Sequence, residues 1–128
     1  MSLVLDNEAV QALMDQRHPK HTLVTGHLWV ADARKFHIKV PATVMVEAGW
    51  DRSDQRSAAL NRLHPQVDPL DEPRARECIR LQQLRRVGVV DAHVAALANS
   101  QTDRVTVLTS DSDDMEELTD RHVTVVQI

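Results

Sequence analysis

Four of the 19 acidic residues, Asp6, Glu47, Asp91 and Asp111, stand where solvation alone does not explain a carboxylate. Asp6 follows the unbroken apolar run Leu3-Val4-Leu5, and Asp111 lies two residues beyond Val105-Thr106-Val107-Leu108-Thr109. Glu47 and Asp91 are single charges inside apolar stretches, Val44-Met45-Val46-Glu47-Ala48 and Val89-Val90-Asp91-Ala92. No Lys or Arg sits three or four residues from Asp91 to neutralise it along a helix. Desolvating an unpaired carboxylate costs several kcal/mol or more, so such positions call for a cation. Mg²⁺ takes oxygen ligands, keeps several waters and is held by a few carboxylates together with substrate phosphate. A pair of such ions about 3.5–4 Å apart activates water and stabilises the leaving oxygen of an in-line phosphoryl displacement. Carboxylates about 4 Å apart without a metal repel by roughly 1–4 kcal/mol per pair.

Each acid also has a plain structural reading. Asp6 and Asp111 are placed to cap helices, and Asp91 could cap another. Asp113 and Asp114 fall in the first turn of an acidic helix, where capping and the helix dipole favour them. Asp114 is three residues after Asp111, a capping-box spacing. Glu47, inside an apolar helix, is the hardest to explain in that way. Structural explanations must be invoked four separate times, whereas one metal centre accounts for all four acids together.

The elements that would position these acids follow from periodicity. Leu3–Leu5 and Val105–Thr109 read as strands buried on both faces; Phe36–Val40 and His122–Ile128 alternate as strands do. A helix is expected after Asp6-Asn7 through Ala9, Val10, Leu13 and Met14, closed by His18-Pro19. A second, less regular one includes Leu23, Leu28, Val30, Ala31 and Ala33 and ends near Arg34-Lys35. Pro41-Ala42-Thr43 opens the helix carrying Glu47, and residues 51–63 are polar and helical in composition. The proline-bounded segment 64–70 has room for a very short strand only. Asp71-Glu72-Pro73 starts a helix with an acidic cap and Pro just inside, and Gly88 is expected to end it. Val89-Val90-Asp91 opens the next, and Ser110-Asp111 a last short one. Strands alternating with helices require parallel crossovers and a sheet covered on both faces. Open parallel sheets bind ligands beyond the carboxyl ends of their strands, which puts Asp6 and Asp111 on one rim.

With 128 residues and 42% hydrophobic composition, residues 1–128 form a single domain with a core of its own. Aromatics make up only 2%, so the core is aliphatic and platforms for stacking bases are scarce. A net charge of −4 excludes the broad basic stripe of salt-sensitive nucleic-acid binders, but not an enzyme whose metal meets phosphate. Cys78 is alone, which rules out an internal disulfide and a thiolate zinc site and suggests a buried thiol. No signal peptide and no membrane-length apolar run are visible, giving the expectation of a soluble cytoplasmic protein.

Four motifs in order, Leu3-Val4-Leu5-Asp6, Pro41-Ala42-Thr43-Val44-Met45-Val46-Glu47, Val89-Val90-Asp91-Ala92-His93-Val94-Ala95-Ala96-Leu97-Ala98 and Val107-Leu108-Thr109-Ser110-Asp111-Ser112-Asp113-Asp114, resemble the pattern of the PIN-domain family. The resemblance spans the whole chain and is nearest to the short VapC-type toxin ribonucleases of VapBC toxin–antitoxin systems. It implies a three-layer α/β sandwich, a central, mostly parallel sheet flanked by helices on both faces. It also implies hydrolysis of RNA dependent on Mg²⁺ or Mn²⁺, inhibition by a cognate antitoxin, and a homodimer. Carried over by position, the catalytic and metal-binding set is Asp6, Glu47, Asp91 and Asp111, with Asp113 or Asp114 as an accessory ligand. One departure stands out: many members carry Thr or Ser after the first Asp, where this chain has Asn7 and Glu8. That substitution, with the acidic net charge, keeps open a second reading, a catalytically silent PIN-like module that works by binding a partner.

The remaining candidates carry less. The seven histidines are dispersed without zinc spacing, and His93 suggests a core or solvent-facing role. No Gly-x-Ser-x-Gly occurs, and three glycines are too few for a P-loop. A receiver domain lacks its Lys after the fifth strand, and a haloacid-dehalogenase-type phosphatase lacks Asp-x-Asp after the first. Arg74, Arg76, Arg80, Arg85 and Arg86 read as a solvated helix face, with contact to RNA phosphate or an acidic antitoxin segment as the minority reading. Trp29 and Trp50 are expected in the core or at a dimer or antitoxin interface.

Overall fold

A computed structural model describes residues 1–128. Five strands form one wholly parallel sheet: β1 (Ser2–Leu5), β2 (His37–Pro41), β3 (Gln66–Asp68), β4 (Val105–Thr109) and β5 (Val123–Gln127), in the order β3-β2-β1-β4-β5. Seven α-helices connect them: α1 (Asn7–Met14), α2 (His21–Ala33), α3 (Ala42–Ala48), α4 (Ala58–Asn61), α5 (Glu72–Leu84), α6 (Val89–Ser100) and α7 (Ser112–Leu118). The chain moves outward from β1 through β2 to β3, then returns past β1 to β4 and β5. Right-handed crossovers therefore place the helices before β3 on one face and those after it on the other. The result is the three-layer sandwich expected from the strand–helix alternation.

The sheet owes its parallel pairing to burial. Every residue of β1 is buried, and β4 is nearly so, which leaves no face for solvated polar side chains. These strands and the inner faces of α1 and α6 join a cluster of 29 buried apolar residues. α6 runs Ala92 to Ala98 without an exposed residue, because it crosses over β1, β2 and β4 in the middle of the sheet. β5 is only half-buried at the edge, which its alternating pattern anticipates.

Local chemistry sets the helix ends. The carboxylates of Asp6 and Asp71 cap α1 and α5 by accepting from the amides of Ala9 and Arg74. Gly49 follows α3 in the left-handed region (φ 69°), where a Cβ would be strained.

Three expectations are corrected. α5 ends at Leu84, not at Gly88, which instead precedes α6 as its cap. Residues 51–63 form only a 3₁₀ turn (Gln55–Ser57) and the single turn α4, because Asp51 and Asp54 bind backbone amides two residues on and hold turns open. Arg74 is not on the wet side of α5. It turns inward onto Asp68 with two hydrogen bonds, Nε to Oδ2 at 2.9 Å and Nη2 to Oδ1 at 3.1 Å. Arg76 and Arg80 fit the solvated face, pairing with Glu72 and Glu77, whereas Arg85 and Arg86 lie beyond the helix, Arg85 bridging to Asp114 and Glu117 and Arg86 exposed.

Candidate active site

Reversal of the strand order between β1 and β4 makes a switch point, and two acids meet there. The amide of Asp6 continues the β1–β4 ladder by donating to the Leu108 carbonyl at 3.1 Å. Its carboxylate is buried and accepts from two backbone amides, Ala9 to Oδ1 at 2.8 Å and Ser110 to Oδ2 at 2.9 Å. Asp6 is thus a helix cap and a clamp on the β4 rim as well as a cleft residue. Burial pushes its carboxyl above the usual value; the two amides and the Thr109 hydroxyl pull it back, and Asp111 adds a smaller upward push.

Around this point lies a cleft of about 330 Å³ lined by Asp6, Asn7, Glu8, Glu47, Asp91 and Asp111 together with Gly88, Val89, Val90 and Ser110. The structure therefore brings Asp6, Glu47, Asp91 and Asp111 to one place from four separate elements. No Lys, Arg or His stands in its wall.

Asp91, in the first turn of α6, is the most perturbed of the set. Desolvation, then the charges of Asp111, Asp6 and Asp114, push its carboxyl from 3.8 up to about 6. No hydrogen bond and no cation offsets these effects. Asp111 stands at the cap position of α7, yet its side chain caps nothing; its backbone amide is satisfied by Thr109 Oγ1 at 2.9 Å. The structural reading thus accounts for Asp6 in part and leaves Asp91 and Asp111 unexplained.

Glu47 is exposed rather than buried among the apolar residues that surround it in sequence. On α3, Val44 turns into the core while Val46 is 82% exposed, so apolar neighbours in sequence do not mean an apolar environment here. As placed, no three His, Cys, Asp or Glu side chains converge closely enough to grip one ion. Glu47 and Asp111 are exposed and unrestrained, whereas Asp6 is fixed.

Asp113 and Asp114 lie outside the cleft wall. Asp113 is exposed, and Asp114 pairs with Arg85, which also bridges to Glu117. Glu8 was not among the expected site residues, but it lines the cleft, held by His18 Nε2 at 3.1 Å and Lys20 Nζ at 3.7 Å. Its position beside Asp6-Asn7 was the signal for it.

The donor set suits a hard divalent cation. Asp6, Glu47, Asp91 and Asp111 are all carboxylates, none of the four is held in a salt bridge, and α1 and α6 start at the cleft with their positive dipole ends toward it.

The architecture is a three-layer α/β sandwich with an acidic cleft at its switch point. Neither a family sequence model nor a curated relative matches the chain. Solved structures do. A chain in the crystal structure of VapBC2 from Rickettsia felis bound to a DNA fragment from their promoter aligns with TM-score 0.65 and 14% identity, covering 100% of this chain and 99% of that one. A chain of FitAB bound to an IR36 DNA fragment aligns with TM-score 0.65 and 16% identity over 98% and 94% of the two chains. FitAcB from Neisseria gonorrhoeae gives TM-score 0.65 and 17% identity over 98% and 96%. At these identities the likeness is one of fold, and it extends end to end.

Proposed function

We propose that this chain is a Mg²⁺- or Mn²⁺-dependent endoribonuclease that hydrolyses RNA phosphodiester bonds, the toxin of a type II toxin–antitoxin pair acting in the cytoplasm. The observation that carries the reading is the gathering of Asp6, Glu47, Asp91 and Asp111 from four elements into one cleft without a neutralising cation. Such a cluster destabilises the fold unless something positive binds it. No helix of the chain is long and apolar enough to cross a membrane.

Asp6, Glu47, Asp91 and Asp111 would hold the ion. Bound there, it would supply Lewis acidity toward a phosphate oxygen and a water of lowered pKa. The chain's own parts do the rest. Asp6 is immobilised by the Ala9 and Ser110 amides and fixes the register of the site against both central strands. Asn7 and Ser110, on the cleft wall, offer an amide and a hydroxyl to phosphate oxygens, and the α1 and α6 N-termini favour an anion. Asp113 or Asp114 is the proposed accessory ligand; Asp114 is engaged by Arg85, and Asp113 is exposed in the same turn.

A cognate antitoxin is the proposed protein partner. The similar structures are of VapBC2 and FitAB, two assemblies seen on DNA, and here Trp29, 75% exposed on α2, lines a groove with Met14, Leu28 and Leu63. Such an apolar, aromatic surface suits a protein partner. A homodimer remains part of the proposal on the resemblance in sequence.

The second reading is a binding module that kept the fold and lost the chemistry. Glu8 in the cleft wall and the lack of any three convergent ligands favour it. Replacing Asp91 with Asn separates the two readings. A nuclease loses cleavage and growth inhibition in the variant; a silent module behaves identically with either residue.

A further inference from the structure

His93 is wholly buried on α6, two residues beyond Asp91, yet both its ring nitrogens are engaged. Nε2 lies 2.8 Å from Asp68 Oδ2, and Nδ1 lies 2.9 Å from Thr43 Oγ1. Asp68, the last residue of β3, is gripped from its other side by Arg74 of α5. Arg74 Nη1 also donates to the Ala96 carbonyl of α6 at 3.4 Å. One chain of hydrogen bonds thus joins α3, α6, α5 and the edge of the sheet.

The proton on Nε2 follows from its partner. A carboxylate only accepts, so Nε2 carries the hydrogen and donates it to Asp68. Nδ1 is met by the Thr43 hydroxyl, and Asp68 is held from its other side by Arg74. All the hydrogen-bonding capacity of the imidazole is used.

Thr43 and Glu47 are four residues apart on α3 and share a face of that helix. His93 and Asp91 are both within the first five residues of α6. The Thr43–His93 bond therefore crosses between the helices that carry Glu47 and Asp91 to the two sides of the cleft. We propose that His93 is a positioning residue: by bonding Thr43 it fixes α3 against α6, sets the separation of Glu47 from Asp91, and so sets the affinity of the cleft for a divalent cation. This rests on the reading of the cleft as a metal site. The sequence pattern allowed His93 only a core or surface role, because its partners lie 50 and 25 residues away.

The test titrates Mn²⁺ alone into the purified full chain, following free Mn²⁺ by electron paramagnetic resonance, with thermal melts in EDTA alongside. Thr43→Val removes the hydroxyl at nearly constant shape, Thr43→Ser restores it, and Asp91→Asn marks loss of the site itself. His93→Gln, whose amide can reach Asp68 but places no partner for Thr43 at the Nδ1 position, is a second route to the same lesion. Expected are Mn²⁺ binding weakened about tenfold in Thr43→Val and in His93→Gln, recovery to within about twofold in Thr43→Ser, and no saturable binding in Asp91→Asn. Wild-type affinity in a folded Thr43→Val or His93→Gln, with binding lost in Asp91→Asn, overturns the positioning role and leaves the metal site standing. No Mn²⁺ binding by the wild type overturns the metal-site reading and the positioning role with it.

Discussion

Asp91→Asn should make the metal-free protein more stable while removing its response to metal. Asp91 is pushed from 3.8 to about 6 by desolvation first and then by three neighbouring carboxylates. A shift of about two units corresponds to roughly 3 kcal/mol of disfavour for the charged form. The side chain is half-buried, so solvent screening reduces this to roughly 1–2 kcal/mol. Asparagine keeps the shape and removes the charge. At pH 7.5 in EDTA the variant should therefore melt about 5 °C above the wild type, given about 3–6 °C per kcal/mol for a domain of this size. Saturating Mn²⁺ reverses the order, because a cation at a hundred times its Kd adds about 2.7 kcal/mol to the wild type. Paired calorimetric or fluorescence melts, with EDTA and with Mn²⁺, read both effects in one experiment. A variant no more stable than the wild type in EDTA would refute the claim that the carboxylate is uncompensated.

Further outcomes follow from other parts of the molecule. The folded-state pKa of Asp91 lies above its unfolded value, so its contribution to the stability of the metal-free protein is fully present below about pH 4 and is lost as pH rises through about 6. Urea midpoints of wild type and Asp91→Asn should accordingly coincide near pH 4, part as the pH rises from about 4 to about 6, and keep a constant gap above that. Arg74→Met leaves Asp68 half-buried beside His93 with no balancing cation, and should cost about 2–4 kcal/mol in urea unfolding. Asp68 is opposite in sign to Asp91. Against the upward push of burial, His93 and Arg74 hold it below the usual value, so the Arg74→Met penalty should shrink as pH falls through the carboxylate range. Trp29→Phe should change the melting point by less than about 2 °C, since exposed substitutions away from special features stay within about 0.5 kcal/mol. The same variant should shift tryptophan emission to the blue, because the remaining Trp50 is buried with Nε1 donating to Asn61 Oδ1 at 3.0 Å.

The sequence and the structure agree where local pattern and burial coincide. Leu3–Leu5 and Val105–Thr109 read as doubly buried strands because no charge interrupts them, and β1 and β4 are indeed at the centre of the sheet. Asp6 and Asp111 were legible as rim residues because they follow those strands directly, and the rule that parallel sheets bind at their carboxyl ends put them together. Glu47 was found for a reason the structure does not support. Its apolar neighbours suggested a buried charge, yet α3 buries only one side and Glu47 is on the open one. Arg74 and His93 show the limit of one-dimensional reading. Arg74 shares its spacing with solvated arginines, and only the position of Asp68 at the end of an edge strand turns it inward. His93 needs Thr43 and Asp68 at once, and a helical pattern holds no record of either.

The central claim is that this cleft cuts RNA with a divalent metal held by its carboxylates. Incubating purified protein with a mixed RNA pool tests it most directly, using Mg²⁺ or Mn²⁺, EDTA, and the Asp91→Asn variant in parallel. The account predicts cleavage that appears with metal and is abolished both by EDTA and by Asp91→Asn. Cleavage that persists in EDTA or in the variant, or none under any condition from a chain that represses growth, would contradict it.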